Sequence, residues 1–85
     1  MDRIDLARIP LHARRRAATL IESSPHLLTV LASDPDADVR LAVAGHPATP
    51  LTTLRGLAGD GVPRVAALAG IRAAAQEMVG EPVPG

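Results

Sequence analysis

The chain has 85 residues, an apolar fraction of 47%, no cysteine and no Phe, Trp or Tyr, and its nine basic residues, all arginine, balance nine acidic ones. That length makes one small domain, and the missing cysteines exclude disulfides, thiolate catalysis and cysteine-ligated zinc or iron–sulfur sites. Without aromatic rings the core has to be built from Leu, Ile, Val and Ala in closely approaching helices, the stacking groups of single-stranded nucleic-acid readers are missing, and zero net charge gives no long-range pull on a polyanion.

In chain order the punctuation is regular. Asp2 is placed to cap a short helix through Ile9, and Pro10 suits the first turn of a second helix to about Glu22, with Arg14, Arg15 and Arg16 on its exposed side. Ser24 and Pro25 read as N-cap and first residue of a short helix that presents Leu27, Leu28 and Leu31 and ends near Ser33. Asp34 and Pro35 repeat that signal. Asp36 and Asp38 add negative charge to the first turn, where the helix dipole favours it, and Val39, Ala42 and Val43 face inward. Gly45, His46 and Pro47 end that helix. Thr49 and Pro50 give the cap signal a third time, opening a segment through Leu54 and Leu57 to Ala58, with Gly59 as its stop. Asp60, Gly61 and Pro63 open the last helix, which carries Val65, Ala66, Leu68 and Ala69 and continues past Gly70 to Met78, leaving Arg72, Gln76 and Glu77 to solvent. Residues 80–85, rich in Pro and Gly, read as a flexible tail. No apolar run reaches the roughly 18 residues of a membrane span, and Met1 to Leu11 lacks a signal-peptide core, so a cytoplasmic location is expected. The lysine-free, alanine-rich composition suits a bacterial chain.

Two internal echoes run through these elements. Arg16 with Ala18, Arg40 with Ala42 and Arg64 with Ala66 recur every 24 residues, while Leu28, Leu31, Ala32 and Asp34 return as Leu54, Leu57, Ala58 and Asp60 after 26. A fixed interval of this size is the mark of a repeat protein whose units bury their faces only by stacking. The expected architecture is an all-α, short α-solenoid with about 2.5 repeats of 24 residues and a two-residue slip in the corner between Asp60 and Arg64. It occupies residues 1–79 as one domain: cap helices over 1–22, repeats over 23–70 and a C-terminal cap helix over 62–79.

The run Leu31, Ala32, Ser33, Asp34, Pro35, Asp36, Ala37, Asp38, Val39, Arg40, Leu41, Ala42, Val43, Ala44, then Pro47, Thr49, Pro50, Leu54, Leu57, Ala58 and Asp60 resembles the leucine-rich repeat variant family, over roughly residues 16–70. Its bacterial members resemble HEAT-like helical arrays. The resemblance implies a right-handed solenoid that alternates an α-helix with a short 3₁₀ helix, giving Pro25–Ala32 and Pro50–Ala58 3₁₀ character; caps and apolar spacing alone admit either form. His46 stands where the family usually has asparagine, which puts in question any hydrogen-bond ladder built on that amide. The cysteine ligands of the iron–sulfur cluster that some members carry have no counterpart here.

Three groups of residues bear on chemistry. His12, His26 and His46 titrate near neutrality but lie on separate segments without metal-ligand spacing, so surface or capping roles are expected. Asp34, Asp36 and Asp38 alternate as calcium ligands do, yet Pro35 makes their segment a helix start and no turn glycine or distant glutamate completes a loop. Arg16, Arg40 and Arg64 should form a stripe across stacked helices roughly 10 Å apart, thickened by Arg14 and Arg15. Such a stripe either follows phosphates or ties each repeat to the next through Asp34 and Asp60; neutral charge favours the tie and leaves only Arg14 and Arg15 outside it. No nucleophile, base and orienting group can be assembled, and no cofactor or metal motif is present. The sequence thus reads as a non-enzymatic protein–protein interaction or scaffold module, self-associating as a homodimer through apolar ends at Ile4, Leu6, Ile9 and Ile71, Met78, Val79. The alternative is nucleic-acid backbone binding through the N-terminal arginine cluster.

Overall fold

The computed structural model describes residues 5–80, and these are helical throughout apart from short corners. A 3₁₀ turn at Leu6–Arg8 precedes five α-helices: α1 Leu11–Thr19, α2 Pro25–Leu31, α3 Ala37–Gly45, α4 Leu51–Leu57 and α5 Pro63–Gly80. Asp2, Ile4 and the expected tail beyond Gly80 lie outside the described residues.

Local chemistry sets these boundaries, not always through the residue the sequence suggests. Asp5 caps the 3₁₀ turn by accepting from Ala7 N–H, and Ser24 caps α2 with Pro25 at its first position, accepting from Leu27 N–H. Pro10 is the N-cap of α1 rather than its first helical residue, and α1 stops at Thr19, short of Glu22. The cap of α3 is Asp36, which takes the N–H groups of Asp38 and Val39. Asp34 is thereby released for another partner. Pro50, without a side-chain cap bond, starts α4, because the Thr49 hydroxyl is turned inward instead. Both short segments are α-helical, so the 3₁₀ form expected for them gives way to one with i→i−4 bonds closing at Ala32 and Ala58. The last helix does run on past Gly70.

Helices α1, α3 and α5 pack side by side in one layer, while α2 and α4 cover it from one flank and approach each other through a hydroxyl pair, Thr29 Oγ1 to Thr53 Oγ1 at 2.9 Å. The result is elongated, 51 × 28 × 21 Å. The core is one cluster of Ala18, Leu28, Leu31, Val39, Val43, Ala44, Leu54, Leu57, Val65, Ala69 and Ala73. Its small members sit between the layered helices, and Leu68 of α5 lies beside Gly45 of α3, where a Cβ would be in ordinary contact with the leucine methyl at 3.6 Å.

Every recurrent feature has the same interval, and it is 26, not 24. Helix α1 maps onto α3 and α2 onto α4 residue for residue, the caps Pro10 and Asp36 correspond, and Leu28, Leu31 and Val39 return as Leu54, Leu57 and Val65. No two-residue slip exists. The 24-residue spacing of Arg16, Arg40 and Arg64 joins three non-equivalent positions; Arg40 corresponds to Arg14, Arg16 to Ala42, and Arg64 to Asp38.

Candidate interaction surface

The arginine that ties the units together is Arg14, followed by Arg40. Arg14 Nε donates to Asp34 Oδ2 at 2.6 Å while its Nη1 donates to the carbonyls of Leu6 and Ile9. Arg40 repeats this arrangement: Nε to Asp60 Oδ2 at 2.7 Å, Nη2 to Asp60 Oδ1, and Nη1 to the carbonyls of Asp34 and Pro35. Each aspartate also accepts, through Oδ1, the N–H two residues on, that of Asp36 or Val62, which folds the corner around the carboxylate. Asp34 has a fully buried side chain and Arg14 keeps only 13% of its own exposed. The hydrogen bond from Arg40 holds the Asp60 carboxyl below its ordinary pKa, and Asp60 in turn raises that of Arg40. At Asp36 burial pushes the carboxyl up but is outweighed by the N–H groups of Val39 and Asp38 and by Arg15, leaving it lowered.

A second ladder joins the other ends of the same helices. Ala48 N–H donates to His46 Nδ1, which must therefore be unprotonated, so Nε2–H donates to the Leu20 carbonyl at 2.6 Å. Arg72 Nη1 then donates to the carbonyls of Ala44 and His46. Residues 20, 46 and 72 thus form a chain at the 26-residue interval, the side chains of His46 and Arg72 each donating to carbonyls at the C-terminal end of the neighbouring helix in the layer. Within each unit a hydroxyl does the same, Ser23 Oγ to Ala17 O and Thr49 Oγ1 to Val43 O. His46 supplies one donor and one acceptor, so a side-chain ladder forms at this position with histidine in place.

The sequence-derived site residues separate accordingly. Arg14 and Arg40 belong to the frame, which corrects the placement of Arg14 on an exposed face and outside any structural role. Arg15 reaches Asp36 and Asp38 at 3.4 and 3.5 Å, and Arg64 meets Asp38 Oδ1 at 2.7 Å, all on the surface. Arg16 is exposed, with no ion pair among the described residues. No free arginine stripe results, because Asp38 lies between Arg15 and Arg64. Arg72, expected in solvent, is half-buried. His12 and His26 are exposed and far from His46 in sequence and role, and among the described residues no cluster of His, Cys, Asp or Glu could hold a metal. Leu6 packs against the core and leaves the apolar N-terminal end expected of it.

Beside the exposed Arg16, two further surfaces are apolar or small. Ile71, Met78 and Val79 of α5 are 69, 78 and 87% exposed, and Leu20 and Ile21 at the end of α1 are also exposed. A groove of about 440 Å³ on α5 is lined by Ile71, Arg72, Ala75, Gln76 and Val79, and another of about 410 Å³ lies between α2 and α4 among Thr29, Ser33, Thr52 and Gly56. No helix is long and apolar enough to cross a membrane among the described residues. The missed ladder signals were in the sequence: Arg14 with Arg40, Ser23 with Thr49 and Asp34 with Asp60 share the interval that the leucines already carried.

Residues 37–61 match the family model for the leucine rich repeat variant. That stretch is α3, its corner, α4 and the residues up to Gly61, all but the last residue of one 26-residue unit, and the match bears out the family resemblance there. No curated protein and no solved structure matches the chain.

Proposed function

We propose that the chain is a non-enzymatic helical-repeat interaction module: a short solenoid of two and a half 26-residue units that binds protein through surfaces its ladders leave free. The reading rests on the repeat-family match over residues 37–61, which coincides with the unit whose contacts recur. Helical repeats expose long, stiff faces and bury little chemistry, and here the strongest charge pairs serve stacking. The same proposal takes the chain as a bacterial cytoplasmic protein, on the support of its lysine-free, alanine-rich composition. Nucleic-acid binding has less support, since Arg14 and Arg40 are saturated by carboxylates and carbonyls and Arg15 and Arg64 share Asp38.

The test is affinity capture with the tagged chain in its native host, beside Ile71→Asp and Thr52→Arg variants on the two free grooves and Arg15→Ala/Arg16→Ala. A protein enriched with the wild type and lost with either groove variant supports the reading. Duplex binding at low salt that weakens on removal of Arg15 and Arg16, with no protein captured, overturns it in favour of the nucleic-acid alternative.

A further inference from the structure

The exposed side of α5 has a shape that fits itself. Ile71, Ala75 and Val79 are spaced i, i+4 and i+8 and form one ridge, with Arg72 and Gln76 forming the next, and the groove of about 440 Å³ lies between the two. Such a groove accepts the i±4 ridge of another helix. The ridge is palindromic in size about Ala75, a small residue flanked at equal distances by two branched aliphatic ones. It also continues the stacking that builds the fold: Ile71 corresponds to Gly45, whose neighbour in the next helix is Leu68. Helix α1, at the opposite side of the layer, presents His12, Arg16 and Thr19 to solvent, with Leu20 and Ile21 exposed only at its C-terminal end.

We infer that a second copy of this chain covers α5, tail to tail, as an antiparallel α5–α5 pair with a two-fold axis at Ala75, each Ile71 facing the partner's Val79. This rests on the interaction-module reading and names its partner. A head-to-tail arrangement would instead set the arginines of α1 against the apolar ridge. Closed two-fold pairing is the commonest way such a patch is buried. The two branched side chains carry on the order of 100 Å² of apolar surface each and the alanine methyl less. The ridge thus offers roughly 250 Å² per copy, well below the roughly 800 Å² per partner of a standard interface. The dimer is therefore weak and reversible.

The chain has no native cysteine, so single thiols report geometry cleanly. Helix axes 8–10 Å apart with Cα atoms on cylinders of about 2.3 Å radius bring the two Cα atoms on the axis to about 3.5–5.5 Å, overlapping the 4.4–6.8 Å that a disulfide spans. Sedimentation equilibrium of the purified full chain from about 1 µM to 1 mM should show monomer–dimer exchange, and Ile71→Asp should weaken it by more than about tenfold while circular dichroism stays helical. Ala75→Cys should oxidise to a covalent dimer at least about tenfold faster than His12→Cys on exposed α1. A monomer at every concentration, or a dimer indifferent to Ile71→Asp, overturns the proposal. An Ala75→Cys rate no faster than the His12→Cys control overturns the axis. A monomer that still captures a host protein through Ile71 would sink the homodimer and leave the interaction-module reading standing.

Discussion

Replacing Arg14 by alanine removes a side chain that joins Leu6 and Ile9, α1 and the corner before α3. Three bonds go at once: the ion pair to Asp34 and the two carbonyl contacts at Leu6 and Ile9. The larger cost lies in what is left, an aspartate with a fully buried side chain whose remaining bond is the Asp36 N–H. Removing one partner of a buried pair costs about 3–5 kcal/mol. At 0.05–0.15 kcal/mol per residue a chain of this length holds roughly 4–13 kcal/mol in total. With 4–8 °C per kcal/mol for a domain this small, Arg14→Ala should lower the calorimetric midpoint by roughly 12–40 °C, or prevent folding. Arg16→Ala, at an exposed position, should stay within about 0.5 kcal/mol of wild type. The double variant Arg14→Ala/Asp34→Leu should recover part of the loss, because it removes the stranded charge. A fall of less than about 3 °C for Arg14→Ala, or a larger effect at Arg16, would refute the assignment of Arg14 to the frame.

Three further outcomes follow from the same ladders. Thr49→Val removes one of the two donors to the Val43 carbonyl, which keeps the His46 N–H, in a site that is 2% exposed, and urea unfolding should show a loss of about 0.5–1.5 kcal/mol. His46→Leu deletes a donor and an acceptor and should cost about 2–3 kcal/mol, whereas His46→Asn keeps one of each and should cost under about 1; equal losses would mean the ring acts by packing alone. The carboxyls of Asp36 and Asp60 are lowered in the folded chain, so the stability they contribute is fully present above the ordinary aspartate value of about 3.9 and is lost as pH falls through their folded values. Urea midpoints should fall below about pH 4, less steeply in Asp60→Asn, and midpoints that rose on acidification would contradict this sign.

Helix existence and order were legible because proline and cap residues punctuate the chain at every corner. The errors arose where one residue type can do two jobs. Asp34 stands before a proline and looks like an N-cap, but the helix begins two residues later and its carboxylate turns inward to Arg14. Thr49 offers the same signal before Pro50, and its hydroxyl instead closes the carbonyl of Val43. The arginine interval misled because Arg14, Arg15 and Arg16 are consecutive: an alternating choice among them matches 24 or 26, and only the one pointing toward Asp34 is equivalent to Arg40. A helix of nine residues can turn just one of three consecutive side chains into a given groove, since successive residues differ by about 100°. The leucines settle the choice, because core positions cannot slip without leaving a cavity. The exposed ridge of α5 was visible as apolar residues near the end, but its separation from the N-terminal ones depended on Leu6 folding under, which no local pattern encodes.

Among the described residues most arginines are already committed to partners within the chain. Two arginines are committed to stacking through carboxylates, a third to helix-end carbonyls, and two more share an aspartate at the surface. An aromatic-free core can contribute only modest apolar burial, so orientation between units has to come from directional bonds, and arginine supplies several from one planar group. Repetition then carries a consequence at the array's end. The position equivalent to Arg14 and Arg40 in α5 is Ala66, which has no guanidinium to receive a further aspartate corner. The arginine rung therefore has no equivalent in α5, and a second copy on that side would be held mainly by the apolar ridge. Such an interface is sensitive to a single introduced charge and nearly insensitive to salt, whereas the internal ladders should weaken on acidification; the two kinds of contact can be separated by that pair of variables.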